Sequence, residues 1–244
     1  MIQTVNRVAN YLKSIPSLEA VYIVGSFSKG VTSHDIDMLL IGNDIEKQEL
    51  HTLLIKNLRA TASIVNDDSI YCQIDKIDFD FALLSLDSLF RRISDITKLQ
   101  LFAEHRNWCV GYWMPEGFLY DLKMAHIVFD KSGVVGNSIN HVLSEYETIR
   151  EKLIEEVKKE ILIKSKAMKE LRFYDMILRG DVIAAFLRLA NLLEGWELTS
   201  FKHIDRRIQN TWYAKEIDQI ACMTDDLFPS ACEALLQRFF QKNT

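Results

Sequence analysis

Four aspartates and one glycine–serine pair stand out in this sequence. Gly25-Ser26 closes the apolar run Ala20-Val21-Tyr22-Ile23-Val24. After a gap of eight residues, Asp35-Ile36-Asp37 opens the apolar run Met38-Leu39-Leu40-Ile41. Further on, Asp78 and Asp80 alternate with Ile77, Phe79 and Phe81. Carboxylates two apart on a strand project from one face, so Asp35 goes with Asp37 and Asp78 with Asp80. Carboxylates set in this way suit Mg²⁺, which takes carboxylate oxygens together with those of a phosphate. Gly25 lets the backbone approach an anion closely, and a turn leading into a helix offers free N–H groups. Ser26 adds a hydroxyl donor and Lys29 a point charge. Together these residues suit a nucleoside triphosphate. The plain alternative is a turn, a strand cap and a solvated acid. It does not account for Asp37 at the mouth of an apolar run, or for two acids on a strand that continues Phe81-Ala82-Leu83-Leu84. Such acids need a metal, a partner or water.

The surrounding pattern supplies the elements that must position these groups. Val5, Val8, Ala9, Leu12 and Ile15 predict an amphipathic helix over residues 3–15, stopped near Pro16. Strands are expected at 20–24, 35–41, 69–74 and 77–84. Helices are expected at 46–60, on Leu50, Leu53, Leu54 and Leu58, and at 86–104. Residues 108–121 are aromatic-rich and irregular. Periodicity leaves 122–129 open between strand and helix, and Lys131-Ser132-Gly133 marks a turn. Beyond about residue 138 the spacing is helical. Helices are expected at 138–163, at 165–178 with an end at Arg179-Gly180, at 181–193 with Asp181 as N-cap, at 206–223 and at 230–241. The chain thus divides into an α/β part, residues 1–135, and an all-helical part, residues 136–244.

The order of strand, Gly-Ser, variable loop, Asp-x-Asp and a later acidic strand resembles the nucleotidyltransferase superfamily that includes DNA polymerase β and kanamycin nucleotidyltransferase. The resemblance covers residues 20–84. More loosely, the helical part is similar to the C-terminal domains of the small antibiotic-modifying members. It implies an α/β (α+β) catalytic domain with a mixed sheet, followed by a helical domain. It also implies two Mg²⁺ ions held by Asp35, Asp37 and a third acid, with Gly25, Ser26 and Lys29 steadying the phosphates of an NTP, most simply ATP. Asp78 and Asp80 compete for the third position. Asp80 is preferred because it opens the longer apolar run, as in the family pattern. The implied reaction moves a nucleoside monophosphate to a hydroxyl and releases pyrophosphate. The acceptor would be a small molecule such as an aminoglycoside- or lincosamide-like compound. The alternative is an antitoxin-like or regulatory protein that keeps the fold and acts on a protein or RNA partner. A homodimer is compatible with this layout.

Composition sets the outer bounds. The 244 residues carry 29 basic and 34 acidic side chains, a formal charge of −5. That balance argues against a general nucleic-acid binder, and a cationic acceptor would be drawn to it. Residues 1–135 hold 13 basic and 17 acidic side chains, against 16 and 17 in the remainder. The excess therefore lies with the aspartates, and bound Mg²⁺ would reverse the local field. Only 9 glycines and 3 prolines disfavour a many-turned all-β chain. Cys72, Cys109, Cys222 and Cys232 have no metal-site spacing and read as reduced thiols. With no apolar leader and no run long enough to cross a bilayer, the expected place is the cytoplasm. His34 next to Asp35 could touch a phosphate. The other histidines, His126 among them, read as packing or surface residues. Trp108, Tyr112, Trp113, Phe118 and Tyr120 could stack a base or fill a core.

Overall fold

The computed structural model describes residues 1–28, 30, 35–43, 45–66, 69–98, 115–168, 175–194 and 211–242. Six strands form one sheet: β1 (Leu18–Val24), β2 (Asp35–Gly42), β3 (Thr61–Val65), β4 (Ser69–Ile74), β5 (Ile77–Ser85) and β6 (His126–Asp130). Their order is β3-β4-β5-β2-β1-β6. The β2–β5 pair is parallel and every other neighbouring pair is antiparallel, so the sheet is mixed.

The period-2 alternation of the strands decides which side chains each face buries. Ile36, Met38 and Leu40 share a face with Phe79, Phe81, Ile70, Cys72 and Ile74. That face packs on α1 (Ile2–Lys13) through Val5, Val8 and Leu12, and on α3 (Lys47–Leu58) through Leu50, Leu54 and Leu58. These helical residues recur at three and four, which puts them in one stripe. The opposite face carries Tyr22, Leu39 and Ile41, also buried, and then the aspartates. Beside it lie α4 (Leu86–Lys98), which touches β2 and β5, and α6 (Val134–Ser144), which touches α4 and β6. The Asp130 carboxylate caps α6, accepting from the Gly133 N–H at 3.0 Å and the Gly136 N–H at 2.6 Å. Between β1 and β2 lies the single helical turn α2 (Gly25–Ser28).

Contacts divide the chain into two units. Among the described residues, the first takes in the sheet and Phe118–Tyr146, and the second takes in Pro115–Gly117 and everything from Glu147 on. The helical part expected from residue 136 thus starts within α6, whereas by contacts α6 belongs to the first unit. The second unit contains α7 (Tyr146–Ala167, from Glu147 on), α8 (Asp175–Glu194), α9 (Ala214–Ala221) and α10 (Phe228–Lys242). Its buried residues include Leu153, Val157 and Ile161 of α7, Phe186 and Leu189 of α8, and Phe239 of α10. The fold is therefore an α/β unit with a mixed sheet followed by a helical one. Among the described residues, no helix is long and apolar enough to cross a membrane.

Several elements differ from the sequence reading. β3 is an edge strand, and its alternating apolar residues Ala62 and Ile64 are both exposed, so they give too short and too weak a signal to mark a half-buried strand. The ambiguous stretch 122–129 is both things in turn, the end of α5 (Pro115–Met124) and then β6. The helix expected at 138–163 is two helices, α6 and α7. Arg179-Gly180 does not end a helix: α8 runs straight through it, and Asp181 lies inside α8 rather than at its cap. Tertiary contacts outweigh the local signal there. Arg179 reaches the Ile220 and Ala221 carbonyls at 3.3 Å and the Asp225 carboxylate at 2.6 Å, while Asp181 accepts from Lys164 at 3.0 Å.

Candidate active site

The parallel pairing of β2 with β5 brings the four aspartates into one patch. Asp35 stands opposite Asp78 and Asp37 opposite Asp80. Each pair therefore sits side by side across neighbouring strands, and the two pairs are one pleat apart. All four are half-buried, whereas Ile36, Met38, Phe79 and Phe81 between them are fully buried on the other face. The apolar packing beneath the sheet thus fixes which way the acids point.

β1 adds the glycine. Val24 pairs with Asp37, and the next residue, Gly25, turns into α2 with φ of +68°. A Cβ at Gly25 would overlap the Asp37 carboxylate: it would meet Oδ2 first and would lie 2.8 Å from Cγ. Both the conformation and the contact require glycine at this position. The Gly-Ser turn and the Asp-x-Asp strand are therefore in direct contact.

The outer acid of the β5 pair is already engaged. Gln73 of β4 donates its amide to Asp78 Oδ1 at 3.0 Å, and Tyr71 donates its hydroxyl to Asp78. Desolvation first, then this hydrogen bond and the charges of Asp78, Asp35 and Asp80, hold the Tyr71 phenol above its usual range. Tyr71 pairs with Asp80 and Gln73 with Asp78, so β4 forms the wall of the patch. Nothing in the local sequence of β4 marks Tyr71 or Gln73; only the register of β4 on β5 brings them to the site.

Hard carboxylate oxygens on one face, beside a turn whose glycine is kept bare by a carboxylate, fit a divalent cation with an attached phosphate. Among the described residues, the donor atoms of three or more acids, histidines or cysteines are not gathered into a ready metal group. Like charges side by side repel, and a divalent ion would supply the force that makes them converge.

The α2 turn is itself held in place. The Ser28 hydroxyl donates to the Gly25 carbonyl at 2.8 Å, and the His126 ring at the start of β6 donates through Nε2 to the Ser28 carbonyl at 2.6 Å. Spacing gave no sign of His126, because its partner lies 98 residues away in the chain. Lys29, His34, Cys109, Trp108, Tyr112 and Trp113 lie outside the described residues. Phe118 is buried in α5 with the Arg92 guanidinium 5.6 Å above its ring, which is a packing position. Cys72, Cys222 and Cys232 are free thiols.

No protein-family model matches the chain, and no curated protein matches it. Among solved structures, a nucleotidyltransferase-like protein from Exiguobacterium sibiricum 255-15 is similar over 98% of this chain and 74% of that one, at 13% identity and a TM-score of 0.45. A CCA-adding enzyme in complex with CTP is similar over 100% of this chain and 83% of that one, at 12% identity and a TM-score of 0.27. The site itself rests on this chain's own register and contacts.

Proposed function

We propose that this chain is a nucleotidyltransferase that moves a nucleoside monophosphate, AMP in the simplest case, from an NTP to a hydroxyl of a small molecule and releases pyrophosphate. The observation that carries this reading is the meeting of three strands at one point: Asp37 lies beside Asp80 in the β2–β5 register and against Gly25 at the end of β1. Asp35, Asp37 and Asp80 would hold two Mg²⁺ ions. When bound, these would neutralise the triphosphate and lower the cost of charge at the reacting phosphorus and acceptor oxygen. Asp80 is favoured over Asp78 as the third acid because it opens the longer apolar run and stands beside Asp37, the acid in contact with Gly25. Gly25 keeps the space beside Asp37 clear, the Ser26 hydroxyl would donate to a phosphate oxygen, and Lys29 would add positive charge to the same anion. Catalysis of this kind is mainly positioning and charge neutralisation.

The acceptor we favour is a cationic small molecule, aminoglycoside- or lincosamide-like, because four carboxylates crowd the patch and exceed what the metal ions use. A cytoplasmic place would suit the free thiols of Cys72, Cys222 and Cys232. A second reading is an antitoxin-like or regulatory protein acting on a protein or RNA partner.

Pyrophosphate release with ATP or GTP, across a panel of hydroxyl acceptors, separates the two. Release that needs Mg²⁺ and a small cationic acceptor is expected, and Asp37→Asn should lower it about a hundredfold to a thousandfold while leaving the circular dichroism spectrum unchanged. Full turnover by Asp37→Asn would refute the assignment. Failure of every acceptor, together with a stable co-purifying partner, would favour the second reading.

A further inference from the structure

We infer that His126 is a positioning residue that sets the place of the Gly25–Ser28 turn, and through it the nucleotide's grip on the site; this rests on the transferase reading above. His126 opens β6 and pairs in register with Ile23 of β1, two residues before Gly25. From there its ring spans to the far end of the turn, where Nε2 lies 2.6 Å from the Ser28 carbonyl oxygen. A carbonyl oxygen only accepts, so Nε2 carries the hydrogen. The chain of contacts then continues inward. The Ser28 hydroxyl, in a residue only 5% exposed, donates to the Gly25 carbonyl at 2.8 Å, and Gly25 lies against the Asp37 carboxylate.

Three linked contacts therefore run from an exposed residue on β6 to an aspartate of the site. The two hydrogen bonds act on backbone carbonyls and so fix the course of the chain, and the third contact is the close approach of Gly25 to the Asp37 carboxylate. A four-residue turn has too few internal hydrogen bonds to hold its own place. Gly25, with its left-handed φ, adds freedom rather than restraint. The external bond from His126 compensates for this. Because His126 is exposed, replacing it opens no core.

Two variants and two readouts test the inference. His126→Leu removes the donor, and His126→Gln retains an amide N–H of similar reach. The full-length protein is followed by hydrogen–deuterium exchange of the peptide spanning 25–28, and by calorimetric binding of Mg²⁺ with α,β-methylene ATP. In His126→Leu, exchange is expected to rise about tenfold and the nucleotide Kd about fivefold to tenfold, the scale of one lost hydrogen bond. The KM for NTP should rise with the Kd, kcat should change less, and the acceptor KM and melting temperature should not move. His126→Gln should stay within about twofold of wild type on each readout. Unchanged exchange in His126→Leu overturns the inference whatever the activity. Faster exchange with unchanged nucleotide affinity also overturns it, because the bond would then be structural only. A melting temperature that falls in both variants does the same. A wild-type protein that binds no Mg²⁺–nucleotide refutes the transferase reading instead, and the exchange data still show whether His126 holds the turn.

Discussion

Gly25 and Asp78 show how much a single residue decides here. At Gly25, an alanine meets two obstacles. Its φ of +68° costs an L-residue about 1 kcal/mol, and its methyl group would push on the Asp37 carboxylate. Gly25→Ala is therefore expected to lower the melting temperature by a few degrees and to weaken Mg²⁺–nucleotide binding by more than that stability loss explains. Calorimetry at a temperature where the variant is fully folded checks it, and wild-type affinity there would show that Asp37 does not need the clearance. The two β5 acids are expected to part company. Asp80→Asn should abolish transfer, whereas Asp78→Asn should retain a measurable rate, because Gln73 and Tyr71 hold Asp78. Equal losses in pyrophosphate release would reverse that order. The type and spacing of these residues were legible in the chain, since Asp35 with Asp37 and Asp78 with Asp80 must share faces on any strand. Within the second pair the chain offers only the longer apolar run after Asp80 as a ground for choosing, because the side chains that engage Asp78 belong to another strand.

Among the described residues, the most buried ion pair between helices belongs to a network in the second unit. Glu160 of α7 accepts from Arg188 of α8 at 3.0 Å and from Lys164 at 2.7 Å, and Lys164 also reaches Asp181. The side chains of Arg188 and Glu160 are only 7% and 11% exposed. Removing one partner leaves the other charge in a poor solvent. Glu160→Ala should lower unfolding stability by about 3–5 kcal/mol, while a Glu160→Leu, Arg188→Met pair should cost much less. Urea unfolding of the three proteins checks this, and an equal loss in the single and double variants would mean that the pair is not what matters. Contacts across to neighbouring elements explain why Gly180 and Asp181 mislead as helix boundaries. Both are strong local stop and start signals, and neither prevails when Arg179 and Lys164 bind across to neighbouring elements. β3 was missed for the opposite reason. Its side chains are mostly exposed, so only the ladder to β4 makes it a strand.

For the whole molecule, burial of neutral acids sets an upper pH limit. Burial pushes the Cys72 and Cys232 thiols up to about 12 from 9.0. It does the same to the Tyr22 and Tyr213 phenols, from 10.0 to about 12. The fold thus keeps protons that the unfolded chain gives up. The stability these four groups contribute is full below about pH 9 and is lost as pH rises toward 12. Melting temperature is expected to be level through neutral pH and to fall from pH 9 upward. A Cys72→Ala, Cys232→Ala variant, less stable throughout, should begin that fall nearer pH 10. An onset that does not move would show that the thiols are not what titrates.

At this scale the division between sequence and structure becomes clear. Alternation along a strand and three-and-four spacing along a helix are local properties, so the chain alone determined the two buried faces, the α/β start and helical finish, and the sidedness of each aspartate pair. Register is not local. The placement of Asp37 beside Asp80 needs β5 to lie parallel on β2, with α3, β3 and β4 intervening in the chain. The apolar undersides, Met38 and Phe81 among them, fix that placement by packing on α1 and α3. Tyr71 and Gln73 come to the acids the same way, and His126 reaches the turn from β6, the edge strand beside β1. Their roles arise from contacts between distant parts of the chain, which packing creates and no local pattern encodes.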